Sequence, residues 1–278
     1  MGVRVVTDSA CDLPQELVDE LGIVIVPLTI RFGDEELVDR VELTTAEFWR
    51  RLRTSSALPE TAAPSAGAFE EAFTRLAGDG ATGIICVNLS SGVSATMQAA
   101  QVAAKALDGV CPVEVIDSMN VSMGLGNLCL AAARMARDGA DLPEIVADVV
   151  DRRDRTKLFG VLDTLEFLQR GGRIGRAQAL LGSMLSIKPL VEIRDGVVNE
   201  AGKVRTRSKA LRALVEKVKE TEIENLAVLQ GDAPDVDELL AMLEPFSPGE
   251  IVVGEVGPVI GTHAGPGVVG VTFQVARH

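Results

Sequence analysis

Several segments of this chain carry side chains suited to gripping an acid group. The first, NLSSGVSATMQAA at residues 88–100, runs from a strand-like apolar stretch through a Ser/Gly turn into helical spacing. A helix N-terminus offers unpaired N–H groups and positive potential, which suit an anion. Ser91 and Ser94 add hydroxyls beside those amides, although a serine in Ser94's place also serves simply to cap its helix. Thr7-Asp8-Ser9 and Asp117-Ser118 follow the strand-like VRVV and VEVI in the same way. Three polar strand ends of one sheet converge on a single rim, where ligands gather. Thr61, in the loop ETAAPS ahead of a helix, could lend a hydroxyl to that rim. His263 lies in GTHAGPG, residues 261–267, and is the sole histidine besides the last residue. Its glycine neighbours allow close backbone approach, and imidazole can donate a hydrogen bond to a carboxylate or act as a base. Last, RGGRIGR places Arg170, Arg173 and Arg176 within a glycine-rich turn, and VRTRSK adds Arg205 and Arg207. The turn lacks the G-K-[ST] ending of a phosphate loop, so its arginines pair within the fold or meet an anionic partner.

The elements that must position these groups alternate. Val3–Thr7, the region Ile23–Phe32, Gly83–Leu89 and Val113–Asp117 read as strands. Pro14–Leu21, Thr45–Arg53, Ala66–Ala77, Ser94–Leu107 and Ser122–Arg137 read as helices between them. That alternation predicts crossover units around a mostly parallel sheet with flanking helices. Past the charged stretch Arg152–Lys157 the pattern changes. Helices are expected at Leu165–Arg170, Ala177–Leu185, Lys209–Glu220 and Val236–Leu243. A hairpin turning at Asp195-Gly196 and strands at Leu226–Gln230, Ile251–Glu255 and Val268–Gln274 complete the second half. The expectation is an α/β protein of two domains: a parallel-sheet domain at residues 1–155 and an α+β domain at residues 156–278.

Composition narrows the chemistry. The 278 residues are 47% apolar, enough to build one or two cores. A net charge of −13 disfavours nucleic acid and leaves at most transient contact with an anionic membrane. Aromatics are 3% of the chain, with no Tyr, so base-stacking platforms are not expected. Cys11, Cys86, Cys111 and Cys129 form no C-x-x-C pair and have two histidines at most to join them. They are expected as buried thiols in a reducing cytoplasm, with no metal site and no disulfide framework. The N-terminal MGVRVVTDSACDLP has no charged leader followed by an apolar stretch, and the densest early apolar run, Ile23–Ile30, is broken by Pro27.

Taken in order, TDSACDLP (7–14), TAAPS (61–65), LSSGVSATMQ (89–98), VIDS (115–118), LEFLQRGGRIG (165–175), IKPL (187–190) and GPVIGTHAGPG (257–267) resemble the DegV family of bacterial lipid-binding proteins across nearly the whole chain. The resemblance implies a two-domain α/β fold that buries one long-chain fatty acid between its domains. It also implies a non-catalytic role without cofactors, as the fatty-acid-binding subunit of a fatty acid kinase. That subunit offers its acyl carboxylate to a separate ATP-dependent kinase subunit, which makes acyl phosphate for phospholipid synthesis. Carried onto this chain, Thr61, His263 and either Ser91 or Ser94 bind the carboxylate. Arg173 braces the closed state or meets the kinase, and Arg205 and Arg207 face the partner. The family's T-S-Q-P here reads Thr61-Ala62-Ala63-Pro64, and its S-G-T-Y-Q reads Ser94-Ala95-Thr96-Met97-Gln98. Elementary chemistry accommodates this reading. A buried carboxylate must be richly hydrogen-bonded or neutralised. Burying an acyl tail of about sixteen carbons at ~0.8 kcal/mol per CH₂ supplies on the order of 10 kcal/mol before ordering costs. A serine hydrolase, with Ser91 or Ser94 as nucleophile and His263 as base, is the rival reading, although no G-x-S-x-G elbow is present.

Overall fold

The structure is a computed structural model and describes residues 2–55, 58–180 and 187–277. Among these residues the first half builds a fully parallel sheet in the order β2-β1-β6-β7 from β1 (Val3–Asp8), β2 (Val24–Val26), β6 (Gly83–Asn88) and β7 (Val113–Asp117). Every residue of β6 is buried, as a central parallel strand covered on both faces requires. The covering helices are α1 (Gln15–Leu21), α3 (Ala66–Gly78), α4 (Thr96–Lys105), α5 (Ser122–Arg137) and α6 (Leu142–Arg155). The parallel sheet with flanking helices is therefore as expected.

Two local readings need correction. The region Ile23–Phe32 is two strands, because Pro27 interrupts the ladder. Its second part, β3 (Thr29–Phe32), turns away to pair antiparallel with β4 (Glu35–Val38) and β5 (Glu60–Ala62) in a small separate sheet. Thr61 thus sits on a strand opposite Ile30 rather than in a free loop. The helix expected from Ser94 starts two residues later, at Thr96. Ser94 bends the turn before it, its Oγ accepting the Thr96 N–H at 3.3 Å.

The second half forms a six-stranded mixed sheet in the order β10-β9-β8-β13-β11-β12. Its strands are β8 (Thr156–Val161), β9 (Lys188–Arg194), β10 (Val197–Val204), β11 (Ile223–Gly231), β12 (Val252–Glu255) and β13 (Val268–Val275). The helices α8 (Arg207–Lys219) and α9 (Val236–Leu243) pack through Leu211 and Leu239 into the core that holds Phe159 and Val271 on one face of this sheet. The other face looks toward the parallel sheet. Between the two runs α5, whose first nine residues are all buried, touching β1 and β6 on one side and β8, β11 and β13 on the other. One apolar core therefore continues from Val5 through Met123 to Leu229 and joins the lobes. The helix expected at Ala177–Leu185 begins as a 3-10 turn, Gly175–Leu180, and its remainder lies outside the described residues.

The lobes also meet at a turn. Asp195 (φ +55°) and Gly196 (φ +74°) close the expected β9–β10 hairpin with the left-handed backbone that such turns favour. The Ser90 hydroxyl donates to the Gly196 carbonyl at 2.7 Å, and a Cβ on Gly196 would lie 2.5 Å from that hydroxyl oxygen.

A second junction is built from acids. Asp8, Asp12 and Asp39 are all buried. Asp8 ties the ends of β1 and β6 by accepting from the Leu89 N–H at 2.9 Å and the Asn88 amide at 3.1 Å. Both Asp39 carboxyl oxygens lack a hydrogen-bond partner among the described residues. Burial pushes Asp8 up to about 6, Asp12 to about 7 and Asp39 to about 6, and the Asp39 charge adds to the rise at the other two.

Two outcomes follow. Gly196→Ala meets both the left-handed strain and the Ser90 contact, so it should cost roughly 2–3 kcal/mol in urea denaturation. Gly139→Ala, at φ +93° with open space around it, should cost only about 1–2 kcal/mol, isolating the contact. Equal losses at the two sites would remove the lobe contact from the account. Carboxyls that hold protons more tightly folded than unfolded stabilise the fold at low pH, and that stability is lost as pH rises through the folded values of 6 to 7. Lowering the pH from 8 to 6.5 should therefore raise the unfolding free energy by about 1 kcal/mol, and Asp12→Asn should flatten that rise. A stability that falls over this window contradicts the assignment.

Candidate functional site

Between the two large sheets lies a cavity with an empty volume of about 1070 Å³, counting its open mouth. Strand period explains its floor. Leu158, Gly160 and Leu162 alternate along β8 and the residue beyond it to face the cavity. Phe159 and Val161, between them, point into the core that α8 covers. Val191 and Ile193 of β9 and Leu229 of β11 extend the floor, and Leu28, Leu89 and Val121 come from the opposite lobe. The interior is therefore aliphatic from both sides.

Its polar lining comes from Thr61, Ser94, Ser122, Arg173 and His263. Three of them, Thr61, Arg173 and His263, also line an outer polar cleft with Glu60 and Arg170, so they stand where the apolar cavity meets that cleft. The glycine-rich segment around His263 is a short helix, α10 (Pro258–Ala264), and His263 occupies its last turn. The imidazole Nε2 lies 3.0 Å from Thr61 Oγ1, joining residues 202 apart in the chain. Its Nδ1 is buried without a hydrogen-bond partner among the described residues. Burial, aided by the nearby Arg173 charge, pushes this histidine down to about 4, so it is neutral at pH 7. The fit is close: a Cβ on Gly171 would lie 2.3 Å from Nδ1, so only glycine leaves the ring its place.

Arg173 donates to the carbonyls of Gly171 at 2.7 Å and of Val93, next to Ser94, at 3.3 Å. It bridges the lobes beside the Thr61–His263 pair. Ser94 lines the cavity, its hydroxyl 2.9 Å from that of Thr96. Ser91 does not line the cavity. It is exposed on the rim, where its hydroxyl donates to Asp117 and its N–H reaches the same carboxylate at 3.3 Å. The polar strand ends do converge as their sequence implied, but Asp8 and Asp117 are spent tying loops together. Neither serine hydroxyl is bonded to His263, so the nucleophile–base contact a serine hydrolase needs is not made here; the imidazole's hydroxyl partner is Thr61.

Arg170, Arg176 and Arg207 have partners in the fold. Arg170 pairs with Glu166 at 2.8 Å and Arg176 with Asp195 at 3.1 Å. Arg207 forms a two-pronged pair with Asp235 at 2.6 and 2.9 Å, holding that carboxyl below its usual range. Arg205 is exposed one residue before Thr206, which caps α8. Neither Arg205 nor Arg207 lines the cavity or the outer cleft. The four cysteines are free and buried. Among the described residues no set of three His, Cys, Asp or Glu side chains is arranged for a metal ion, and no helix is long and apolar enough to cross a membrane. Sequence reasoning missed Ser122, which lines the cavity, Asp12, which stands behind its wall and accepts the Ser122 hydroxyl, and Gly171. The second acid of TDSACDLP was the available signal for Asp12, whereas nothing in the local sequence marks Gly171 as the neighbour of His263.

Comparison with known proteins agrees with this geometry. A DegV domain-containing protein of Streptomyces coelicolor is 39% identical over 278 residues, covering 98% of each chain. A solved Thermus thermophilus structure, described as showing fatty acid binding by a DegV family protein, superposes with a TM-score of 0.91 at 32% identity, covering 99% of this chain and 100% of that one. DegV of Bacillus subtilis, described as a fatty acid binding protein, superposes with a TM-score of 0.86 at 29% identity, again over 99% and 100% of the two chains. The family model described as "Uncharacterised protein, DegV family" matches residues 2–276. With its two-lobed α/β fold and motifs matched from end to end, this chain belongs to the DegV family.

Proposed function

We propose that this protein is a non-catalytic carrier of one long-chain fatty acid. The acyl chain occupies the inter-lobe cavity and the carboxylate sits at the mouth, held by Thr61, His263 and Ser94. Of the two candidate serines we assign Ser94, because it lines the cavity while Ser91 is engaged with Asp117 on the rim. The carrier presents its carboxylate to a separate ATP-dependent kinase subunit in the cytoplasm, for acyl-phosphate formation toward phospholipid synthesis.

One observation carries this reading: an aliphatic cavity whose mouth holds a neutral imidazole bonded to a threonine hydroxyl. A fatty acid has the same two-part chemistry. Its tail gains from burial at ~0.8 kcal/mol per CH₂. Its headgroup accepts hydrogen bonds from the Thr61 and Ser94 hydroxyls, the His263 ring N–H orienting Thr61 by donating to its oxygen, with the Arg173 charge close by to offset desolvation. The related proteins of Thermus and Bacillus described as binding fatty acids support the ligand class. The outer cleft, which shares Thr61, Arg173 and His263 with the cavity, supplies the opening through which a partner reaches the headgroup.

Mass spectrometry of the purified protein under denaturing conditions should release a C14–C18 acid. A protein that is empty and takes up no added oleate contradicts the proposal. Thr61→Ala, Ser94→Ala and His263→Ala should each weaken oleate binding roughly tenfold or more, the usual worth of a hydrogen bond to a charged group. Ser91→Ala should leave it unchanged in equilibrium displacement assays. A larger loss for Ser91→Ala than for Ser94→Ala reverses the assignment.

Arg205→Ala and Arg207→Ala should retain oleate but lower acyl-phosphate yield with the kinase subunit by roughly tenfold, the scale of a lost charged contact. An unchanged yield removes this patch from the docking surface.

A further inference from the structure

Behind the cavity wall, Asp12 joins three chain segments. It lies in the turn after β1 and is 1% exposed. One carboxyl oxygen accepts the Gly257 backbone N–H at 2.9 Å, and the other accepts the Ser122 hydroxyl at 2.5 Å. Gly257 caps α10 and Ser122 opens α5, so a side chain of the first lobe grips the start of a helix near the C-terminus, 245 residues away. Both helices face the cavity: Ser122 from α5, and Val259, Ile260 and His263 from α10.

The consequence is geometric. Helix α10 has only seven residues, and His263 lies about 9 Å from Gly257 at 1.5 Å rise per residue. A two-turn helix moves as a rigid rod, so its anchored end governs where its far end lies. Sideways, the rod is held by Phe48 and Trp49 of α2 (Thr45–Thr54), which press so closely that a Cβ on Gly261 would lie 2.5 Å from Phe48. Phe167 closes on the far end at Gly265, and at the N-terminal end Asp12 supplies the fixed point by holding the Gly257 N–H. A hydrogen bond of 3.0 Å, such as His263 Nε2 to Thr61 Oγ1, weakens once its atoms shift by several tenths of an ångström.

We propose that Asp12 is the positioning residue of the cavity mouth: by anchoring α10 to the start of α5, it sets the contact between His263 and Thr61. The inference rests on the fatty-acid reading for its effect on affinity, and its structural part is independent of that reading. The backbone of Asp12 is left-handed at φ +51°, a conformation that Asp, Asn and Gly tolerate and Ala does not. The informative variants are therefore Asp12→Gly, which removes the carboxyl without adding strain, and Asp12→Asn, which keeps an acceptor for Gly257 and can donate to Ser122.

Palmitate affinity is measured for the full chain, for these two variants, for His263→Ala and for the Asp12→Gly/His263→Ala pair. Asp12→Asn should bind within about threefold of the unaltered protein, and Asp12→Gly about tenfold more weakly. If Asp12 acts through His263, the Asp12→Gly loss disappears once His263 is absent. An equal loss in both backgrounds marks a general packing role and overturns the proposal, as does unaltered binding by Asp12→Gly. If Asp12→Gly fails to fold, a folded Asp12→Asn that binds more than tenfold weaker overturns it and one within threefold upholds it. The second readout needs no ligand. With two histidines in the chain, imidazole ¹⁵N resonances assign directly, and those of His263 should move in Asp12→Gly. Unmoved resonances refute the inference even where palmitate binds. Should palmitate fail to bind the unaltered protein, the fatty-acid reading falls while these resonances still decide the role of Asp12.

Discussion

A single hydrogen bond between Thr61 and His263, spanning 202 residues of sequence, marks the point on which the rest of the structure converges. Neither partner could hold it alone. Thr61 is fixed by pairing of its short strand with β3, and His263 by a seven-residue helix pressed against Phe48 and Trp49. The ring in this bond stays uncharged at neutral pH. Burial removes the imidazolium from contention, since a charged ring in an aliphatic wall without a counter-ion costs several kcal/mol. The adjacent Arg173 charge acts in the same direction. The mouth thus keeps its permanent positive charge on Arg173, while the groups facing the cavity from Thr61, Ser94 and His263 are neutral.

Aliphatic walls and buried acids divide the space between the lobes. On the cavity side, strand alternation puts Leu158, Leu162, Val191 and Ile193 in one surface, and the opposite lobe answers with Leu28, Leu89 and Val121. Behind it, Asp8 and Asp12 exchange hydrogen bonds with backbone N–H groups of loops and helix ends. These acids are poor contributors to stability near neutral pH, because each is dehydrated and the Asp39 charge opposes ionisation of Asp8 and Asp12. The value of Asp8 and Asp12 is directional: Asp8 accepts from its own turn and from the end of β6, and Asp12 from Gly257 and Ser122, which fixes loop ends that apolar packing alone would leave free to slide. The same division separates Ser122, whose hydroxyl is committed to Asp12, from Ser94, whose hydroxyl has only that of Thr96 and the Thr96 N–H nearby.

Much of this was legible in the chain. The unbroken apolar run of β6, the polar residues just beyond it and the Asp195-Gly196 turn each follow local rules that tertiary structure did not override. The second strand region failed because Pro27 breaks a ladder without saying where the chain goes next; β3 found partners in β4 and β5, neither of which has a marked strand pattern. No periodic pattern marks an element around His263, yet Pro258 starts a helix well, and Gly261 is there because Phe48 and Trp49 leave no room for a side chain.

Sequence alone determined which chemistries were open: two histidines and dispersed cysteines, an acidic and aromatic-poor chain, hydroxyls after apolar strands, and motifs shared with one family from end to end. Those are properties of residue type and local spacing, which a string of letters carries in full. Tertiary structure decided which groups meet. It set Ser94 on the cavity and Ser91 on the rim, gave His263 to Thr61, and put Asp12 between two helix starts. The reason is that these contacts join segments tens to hundreds of residues apart, and their distances depend on how two sheets and the helix between them pack.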